Sequence, residues 1–419
     1  MAVITVPAAH LTRFFALRRA LKRHMSHDPR FEKIWICAAN GRARFETQGA
    51  FGIASEVEIG TAVSLEPVYI EAAPLEQCLR DLKNLKKREV VRFEVVDFKV
   101  KISISCLSIE TDAGTASEFL PIPLGGGRTV LEAGPDWVEN FRRIDFARPR
   151  KRNEVVLRDA IDGFLLEWDR GNREIVTLET DSIIAGLSQY STLNSSVDFD
   201  FWDQAQRIFF SSAAADFLQN MASLPGLCLT LVCHGFSIDE GRLSAKLNWE
   251  YTLANGERFV FHEWYSGPID ERRKYRQKLV GLIEKMRSWF TVDVGKLVVA
   301  LKRASKFVAV KPDKLIQPEK ANIFLVATRH PLRVCAFGSG VFFETVELPC
   351  PAAFPVIISF DPDKLLRILQ ALRCGVAEFM LSERDPSNSP VGIFQSVRAV
   401  IMPCRFDPKE LPDWMKEEL

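Results

Sequence analysis

Three stretches of the chain repeat one ordering of apolar and polar positions. Each has a short apolar strand, a tight break, a helix with apolar residues at i, i+3, i+4 and i+7, and a β-rich strand. The first copy runs Val68-Tyr69-Ile70, then Leu75, Cys78, Leu79 and Leu82, then Val90 to Val96. The second runs Ile208-Phe209-Phe210, then Ala214, Phe217, Leu218 and Met221, then Leu227 to Val232. The third runs Val356-Ile357-Ile358, then Leu365, Ile368, Leu369 and Leu372, then Val376 to Leu381. The helices recur about 140 to 150 residues apart, roughly one domain's length. Three equivalent α+β repeats point to a closed, pseudo-symmetric assembly.

A further helix and a set of strands precede each copy. Ala8 to Arg23 reads as a helix, followed by strands at Lys33 to Cys37 and Arg42 to Thr47. Pro135, well placed in a first turn, opens a short helix over Trp137 to Ile144, with strands at Gly163 to Trp168 and Glu174 to Leu178. Phe290 to Asp293 leads into a helix reaching about Val308, then strands at Asn322 to Ala327 and Leu332 to Gly338. Ile238 to Glu263 reads as one extended hairpin turning at Asn255-Gly256. Seams at Gly125-Gly126-Gly127 and at the charged run Asp270 to Lys278 divide the chain into domains 1–128, 129–285 and 286–406, with a tail at 407–419.

The chain has 419 residues, 47% of them hydrophobic, enough for two or three ordinary cores. Its net charge is +1, so any polyanion must meet a local surface. Nine cysteines with no C-x-x-C pair, most within apolar text (Cys37, Cys106, Cys228, Cys233, Cys335), read as reduced, buried thiols in a cytosolic protein. No apolar run reaches the roughly 18 residues of a membrane span, and no signal peptide is visible.

Positive charge gathers on the first helices. Met1 to His27 carries Arg13, Arg18, Arg19, Lys22 and Arg23 and no acid, and between Asp293 and Asp313 lie Lys296, Lys302, Arg303, Lys306 and Lys311. Leu297, Leu301, Ala304 and Val308 share one helical arc, with Lys296, Lys302, Arg303 and Lys306 opposite. The middle repeat places Arg142, Arg143, Arg148, Arg150, Lys151 and Arg152 just after its helix. A solvated basic face is the ordinary reading of any one such helix. Recurrence in all three repeats points instead to a shared surface for phosphates, salt-sensitive and blind to sequence.

The segment Ala399-Val400-Ile401-Met402-Pro403-Cys404-Arg405-Phe406 resembles the end of the bacterial β sliding clamp, the processivity subunit of the replicative DNA polymerase III. Val356 to Phe360, Lys364 to Cys374 and Ala377 to Leu381 are similar to its third domain, and Asp162 to Glu167 with Val176 to Asp181 to its second. Glu118-Phe119-Leu120-Pro121 stands where clamps end their first domain. The resemblance implies an α+β fold of three clamp domains, each with two helices packed on antiparallel sheet. Two chains would close head to tail into a ring around duplex DNA, with helices lining the hole. It implies a homodimer in the cytoplasm, associated with the nucleoid, that binds double-stranded DNA without sequence preference. No cofactor or metal is implied. DNA polymerase, a clamp loader and repair proteins would dock through linear peptide motifs.

Carried over position by position, the docking groove comprises Val400, Met402, Pro403 and Arg405, facing Ile161 and Thr180, with Pro268 as a further candidate. The pattern departs after Thr180-Asp181, where Ser182-Ile183-Ile184-Ala185 replaces the family's usual residues, so partner preference is altered. The chain also continues beyond Phe406; Leu411, Trp414 and Met415 are candidates to fold back over the groove. Phe307, off the core arc of its helix, and Leu82 are candidates for the subunit interface.

No chemistry-bearing motif stands out. Gly125 to Gly127 lacks the Lys-Ser/Thr of a P-loop. His234 and His262 lie in strand text and read as structural, Cys233-His234 lacks a third orienting group, and Asp198 and Asp200 read as solvent-facing. The sequence reads as a non-enzymatic DNA-encircling processivity factor. The alternatives are a specialised mobile-element or repair clamp, or a scaffold that keeps the fold without closing.

Overall fold

The computed structural model describes residues 2–25, 28–60, 63–81, 89–105, 107–115, 119–148, 163–180, 184–191, 196–268, 279–309, 322–327, 331–337, 340–372, 375–382, 387, 389–395, 397–404, 406, 409 and 411–416. In the first repeat β1 (Ala2–Pro7) leads into α1 (Ala8–Lys22). Strands β2 (Lys33–Ala39), β3 (Arg42–Gln48), β4 (Gly52–Glu58) and β5 (Leu65–Glu71) follow, then α2 (Ala72–Asp81). The repeat ends with β6 (Val90–Val96), β7 (Lys99–Ile104), β8 (Leu107–Asp112) and β9 (Gly114–Thr115).

The second repeat comprises β10 (Arg128–Ala133), α3 (Pro135–Ile144), β11 (Gly163–Asp169), β12 (Glu174–Thr180), β13 (Ile184–Ser191) and α4 (Phe199–Ala205). It continues through β14 (Arg207–Ser211), α5 (Ser212–Met221), β15 (Gly226–Asp239), β16 (Arg242–Leu253) and β17 (Arg258–Pro268). The third has β18 (Met286–Asp293), α6 (Val294–Ala309), β19 (Ile323–Ala327), β20 (Pro331–Phe337), β21 (Val341–Glu347), β22 (Val356–Phe360) and α7 (Pro362–Leu372). Then come β23 (Val376–Ser382), β24 (Val391–Phe394), β25 (Arg398–Ile401) and α8 (Asp413–Lys416).

The repetition extends to pairing. In every repeat the opening strand lies antiparallel to the strand that follows the recurring helix, α2, α5 or α7. Ile4 of β1 faces Phe93 of β6, Leu131 of β10 faces Leu231 of β15, and Val292 of β18 faces Ala377 of β23. The intervening helices begin where a side chain satisfies free N–H groups. Ser211 Oγ accepts from Ala214 N (3.2 Å), Asp293 Oδ1 from Lys296 N (2.8 Å) and Asp361 Oδ1 from Asp363 N (2.9 Å).

Contacts gather the chain into two compact units. Unit one is Met1–Val138, Arg170–Arg173 and Ser191–Ile269; unit two is Glu139–Asp169, Glu174–Tyr190 and Asp270–Leu419. In unit one a nine-stranded sheet runs β10-β15-β16-β17-β4-β3-β2-β5-β9, and the β4–β17 pairing sets Phe261 opposite Ile53. A separate sheet runs β1-β6-β7-β8. Helix α1 buries Leu11, Phe14, Phe15, Leu17 and Leu21 and packs on α2 and α5. Each phenylalanine so buried contributes about 1.5–3 kcal/mol. Trp137 stacks on Trp249 at 5.4 Å. In unit two, β13 pairs with β25, Ile184 opposite Ile401. Helix α6 packs through Leu297, Ala300, Leu301 and Ala304 against α7 and the sheet β21-β20-β19-β22.

Two expectations change. The long hairpin is a three-stranded meander with a second turn at Glu240-Gly241, where φ is +46° and +75°, the left-handed pair of a two-residue β-hairpin. The sequence signal was the glycine itself. Asp198 does not face solvent freely: it caps α4 by accepting from Phe201 N (3.1 Å) and pairs with Arg128. Of the described cysteines, Cys78, Cys233 and Cys335 are buried, whereas Cys37 and Cys228 are half-buried.

Candidate functional site

The cations of α1 are met by the protein's own acids. Arg18 is fully buried; it donates to Glu76 Oε2 (3.0 Å), the Phe31 carbonyl (2.6 Å) and Glu32 Oε2 (3.0 Å). It therefore cannot face DNA, which corrects the expectation. Burying a guanidinium is tolerated when acceptors meet it, and here three acceptors take Nη1 and Nη2 while Nε is buried without a partner. Arg13 is held by Glu257, Nε–Oε2 3.1 Å, with a second bond from Nη2 to Oε1. Arg19, Lys22 and Arg23 reach the surface, yet each stands beside an acid: Arg19 by Glu76 (3.4 Å), Lys22 by Glu32 (2.9 Å) and Arg23 by Asp216. The hydrogen bond from Lys22, with Arg18 adjoining, holds Glu32 below the usual carboxylate range.

Glu257 follows the Asn255-Gly256 turn and ties α1 to the meander. Burial pushes the His10 imidazole below its ordinary range; its Nδ1 lies 2.9 Å from Glu257 Oε2 and its Nε2 3.1 Å from Ser55 Oγ. Burial alone would raise the Glu257 carboxyl; hydrogen bonds from His10 and Arg13, with their charge, outweigh it and hold it at about 2.

Helix α6 differs. Lys296, Lys302, Arg303 and Lys306 are all exposed, opposite the buried arc. Arg303 pairs with Glu344 (2.8 Å), and no described carboxylate lies within ion-pair distance of Lys296, Lys302 or Lys306. Lys296 lines a cleft with Val299, Glu344 and Glu347, so acids border this face without pairing with its lysines. In the middle repeat, Arg148 is buried against Asp145 (2.9 Å), and its carbonyl accepts from Arg367 Nη2 (3.2 Å). It too is corrected, because its side chain is buried beside Asp145 and presents little charge outward. Arg150, Lys151 and Arg152 lie outside the described residues.

Among groove candidates, Thr180 is buried and its Oγ1 donates to the Ile184 carbonyl (2.9 Å). Ile184 is registered on Ile401 and Ala185 on Val400, so sheet pairing brings Thr180 and Val400 to one seam. Val400 is buried, Met402 exposed and Pro403 half-buried. Pro268 closes β17, but its side chain, like Ile161 and Arg405, lies outside the described residues. Phe307 is half-buried on Phe342, rings 5.8 Å apart, beside the end strand β21; Leu82 is outside the description.

The two histidines considered for metal share Asn248. Its Nδ2 donates to His234 Nε2 (2.9 Å), and its Oδ1 accepts from His262 Nδ1 (2.7 Å). Burial lowers His262 to about 4. Among the described residues no group of three or more His, Cys, Asp or Glu could hold a metal ion, and no helix is long and apolar enough to cross a membrane.

No protein-family model matches the chain, and no curated protein matches it in sequence. Its fold, however, is that of the bacterial β sliding clamps. A DNA polymerase sliding clamp from Bacillus subtilis superposes with a TM-score of 0.71 at 15% identity, covering 97% of this chain and 100% of that one. The DNA polymerase III subunit beta clamp from Pseudomonas aeruginosa bound to griselimycin gives 0.70 at 14%, over 97% and 100%. The Helicobacter pylori β clamp bound to a DNA ligase peptide gives 0.69 at 15%, over 96% and 100%.

Proposed function

We propose that two copies of this chain close head to tail around duplex DNA and tether a DNA polymerase or another replication or repair protein to it. The observation that carries the reading is the exposed lysine face of α6, in a chain that matches sliding clamps over their whole length. Such a face attracts phosphates without reading bases, which suits a protein held on DNA by topology. The end strands β8 and β21 of their four-stranded sheets support closure, since each carries exposed apolar residues, Leu107 on one and Val341 and Phe343 on the other. A second chain would extend both edges, β8 of each meeting β21 of the other, and two such contacts close the ring.

The partner groove is built on Thr180, Val400, Met402 and Pro403, and a linear peptide is its ligand, as for the H. pylori clamp with its ligase peptide. The role is binding, without catalysis. A specialised clamp or a non-closing scaffold is the second reading, favoured by the acids that stand against the cations of α1.

The test is topological. Labelled protein is placed on nicked circular DNA with a clamp loader, and the circle is then cut. Retention on the circle with loss from the linear form is expected. Equal dissociation from both, or no retention on either, overturns encirclement.

A further inference from the structure

The strands β19 and β22 are buried at every position. Ile323, Leu325, Ala327, Ile358 and Phe360 face the helices α6 and α7, which accounts for one side. The other side, Phe324, Val326, Cys335 and Ile357, is covered by the chain's own end: Leu411 and Met415 are buried on it, with Phe406 and Trp414 half-buried around them. Phe406 meets Phe324 edge-on at 5.4 Å, and Trp414 stands 6.4 Å from the exposed Phe343. The covering piece is a single turn, Asp413–Lys416, closed by Met415 N donating to the Pro412 carbonyl (2.9 Å). One turn cannot hold itself in water, so its order comes from the face beneath it.

We infer that this sheet face is a docking site for a short amphipathic helical turn, that residues 411–415 occupy it in cis, and that a segment of the same chemistry displaces them. That chemistry is three apolar side chains at Leu411, Trp414 and Met415, spaced i, i+3, i+4, between acids (Glu410, Asp413, Glu417, Glu418). The site adjoins the strand that carries Val400: Cys404 N donates to the Ser359 carbonyl (2.8 Å), leading the chain from Met402 and Pro403 onto β22. Release of the turn exposes apolar surface continuous with that end of the chain. Naming a partner protein as the displacing species rests on the proposed function; the docking site itself does not.

Two measurements on the full chain, without DNA, test it. A fluorescent peptide of residues 407–419 is titrated against the wild-type chain and against Leu411→Asp/Met415→Asp, whose own turn cannot dock. At least tenfold tighter saturable binding to the variant is expected; equal or absent binding to both overturns the proposal. Should the variant not fold, Cys335 reports on the wild type, because it is fully buried under the turn. Its thiol is expected to label at a rate independent of low denaturant, and at least tenfold faster when excess unlabelled peptide bearing Cys335-shielding apolar residues is omitted rather than added. Labelling that tracks global unfolding, as for a core group, overturns it.

Discussion

Helices α1 and α6 open the first and third repeats, and both carry four or five cations, yet they use them differently. On α1, Arg18 is inside, Arg13 is fastened to Glu257, and Arg19, Lys22 and Arg23 stand beside Glu76, Glu32 and Asp216. On α6, three lysines remain exposed and unpaired among the described residues. The difference follows from what surrounds each helix. Helix α1 is sandwiched by α2, α5 and sheet, so even its polar side meets protein; α6 buries a single arc. Similar sequence charge thus supplies architecture in one place and an outward field in the other.

The largest effect that can break this contrast is on stability. Arg18→Ala removes the buried guanidinium that Glu76 and the Phe31 carbonyl accept from and is expected to cost on the order of 3–5 kcal/mol, whereas Lys302→Ala leaves the urea midpoint unchanged. Comparable midpoints for the two variants would erase the distinction.

A slightly smaller effect is set by pH. Glu257, held at about 2 against an ordinary 4.5, binds fewer protons folded than unfolded between those values. Its contribution is complete above about pH 4.5 and is lost as pH falls through 2, at most about 3 kcal/mol. Glu257→Gln should flatten that acid limb in thermal melts, and an unchanged limb would show that α1 is anchored otherwise. Glu263 acts in the opposite direction. Buried, and accepting from Ser211 Oγ (2.7 Å), it is pushed up to about 7, so stability falls as pH rises from 4.5 through 7. Glu263→Gln is expected to remove that decline, and its persistence in the variant would assign it to another group.

Much of the fold was legible because burial leaves a local trace. Leu365, Ile368, Leu369 and Leu372 are spaced as one helical stripe, and all four are buried. The strands were readable for the same reason, and three copies reinforced one another. The fate of the cations was not local. Arg18 finds Glu76 58 positions away, Arg23 finds Asp216 at 193 and Arg13 finds Glu257 at 244. Nothing within α1 marks Arg18 as different from Arg19, although Phe14, Phe15 and Leu17 beside it made the helix apolar over more than one arc. The apolar spacing of Leu411, Trp414 and Met415 was visible, but its receiving face was hidden in β19, a strand apolar on both sides.

On the proposed reading, α6 and not α1 supplies the field that meets phosphate. Duplex DNA association is measured against salt for the wild type, for Lys296→Gln/Lys302→Gln/Lys306→Gln and for Arg19→Gln/Lys22→Gln/Arg23→Gln. Losing three lysines from each of two copies, about six phosphate contacts, should make the log–log slope of the α6 variant shallower by roughly 5.4, while the α1 variant changes by less than about 1. An unchanged slope for the α6 variant, or an equal loss for both, contradicts the claim.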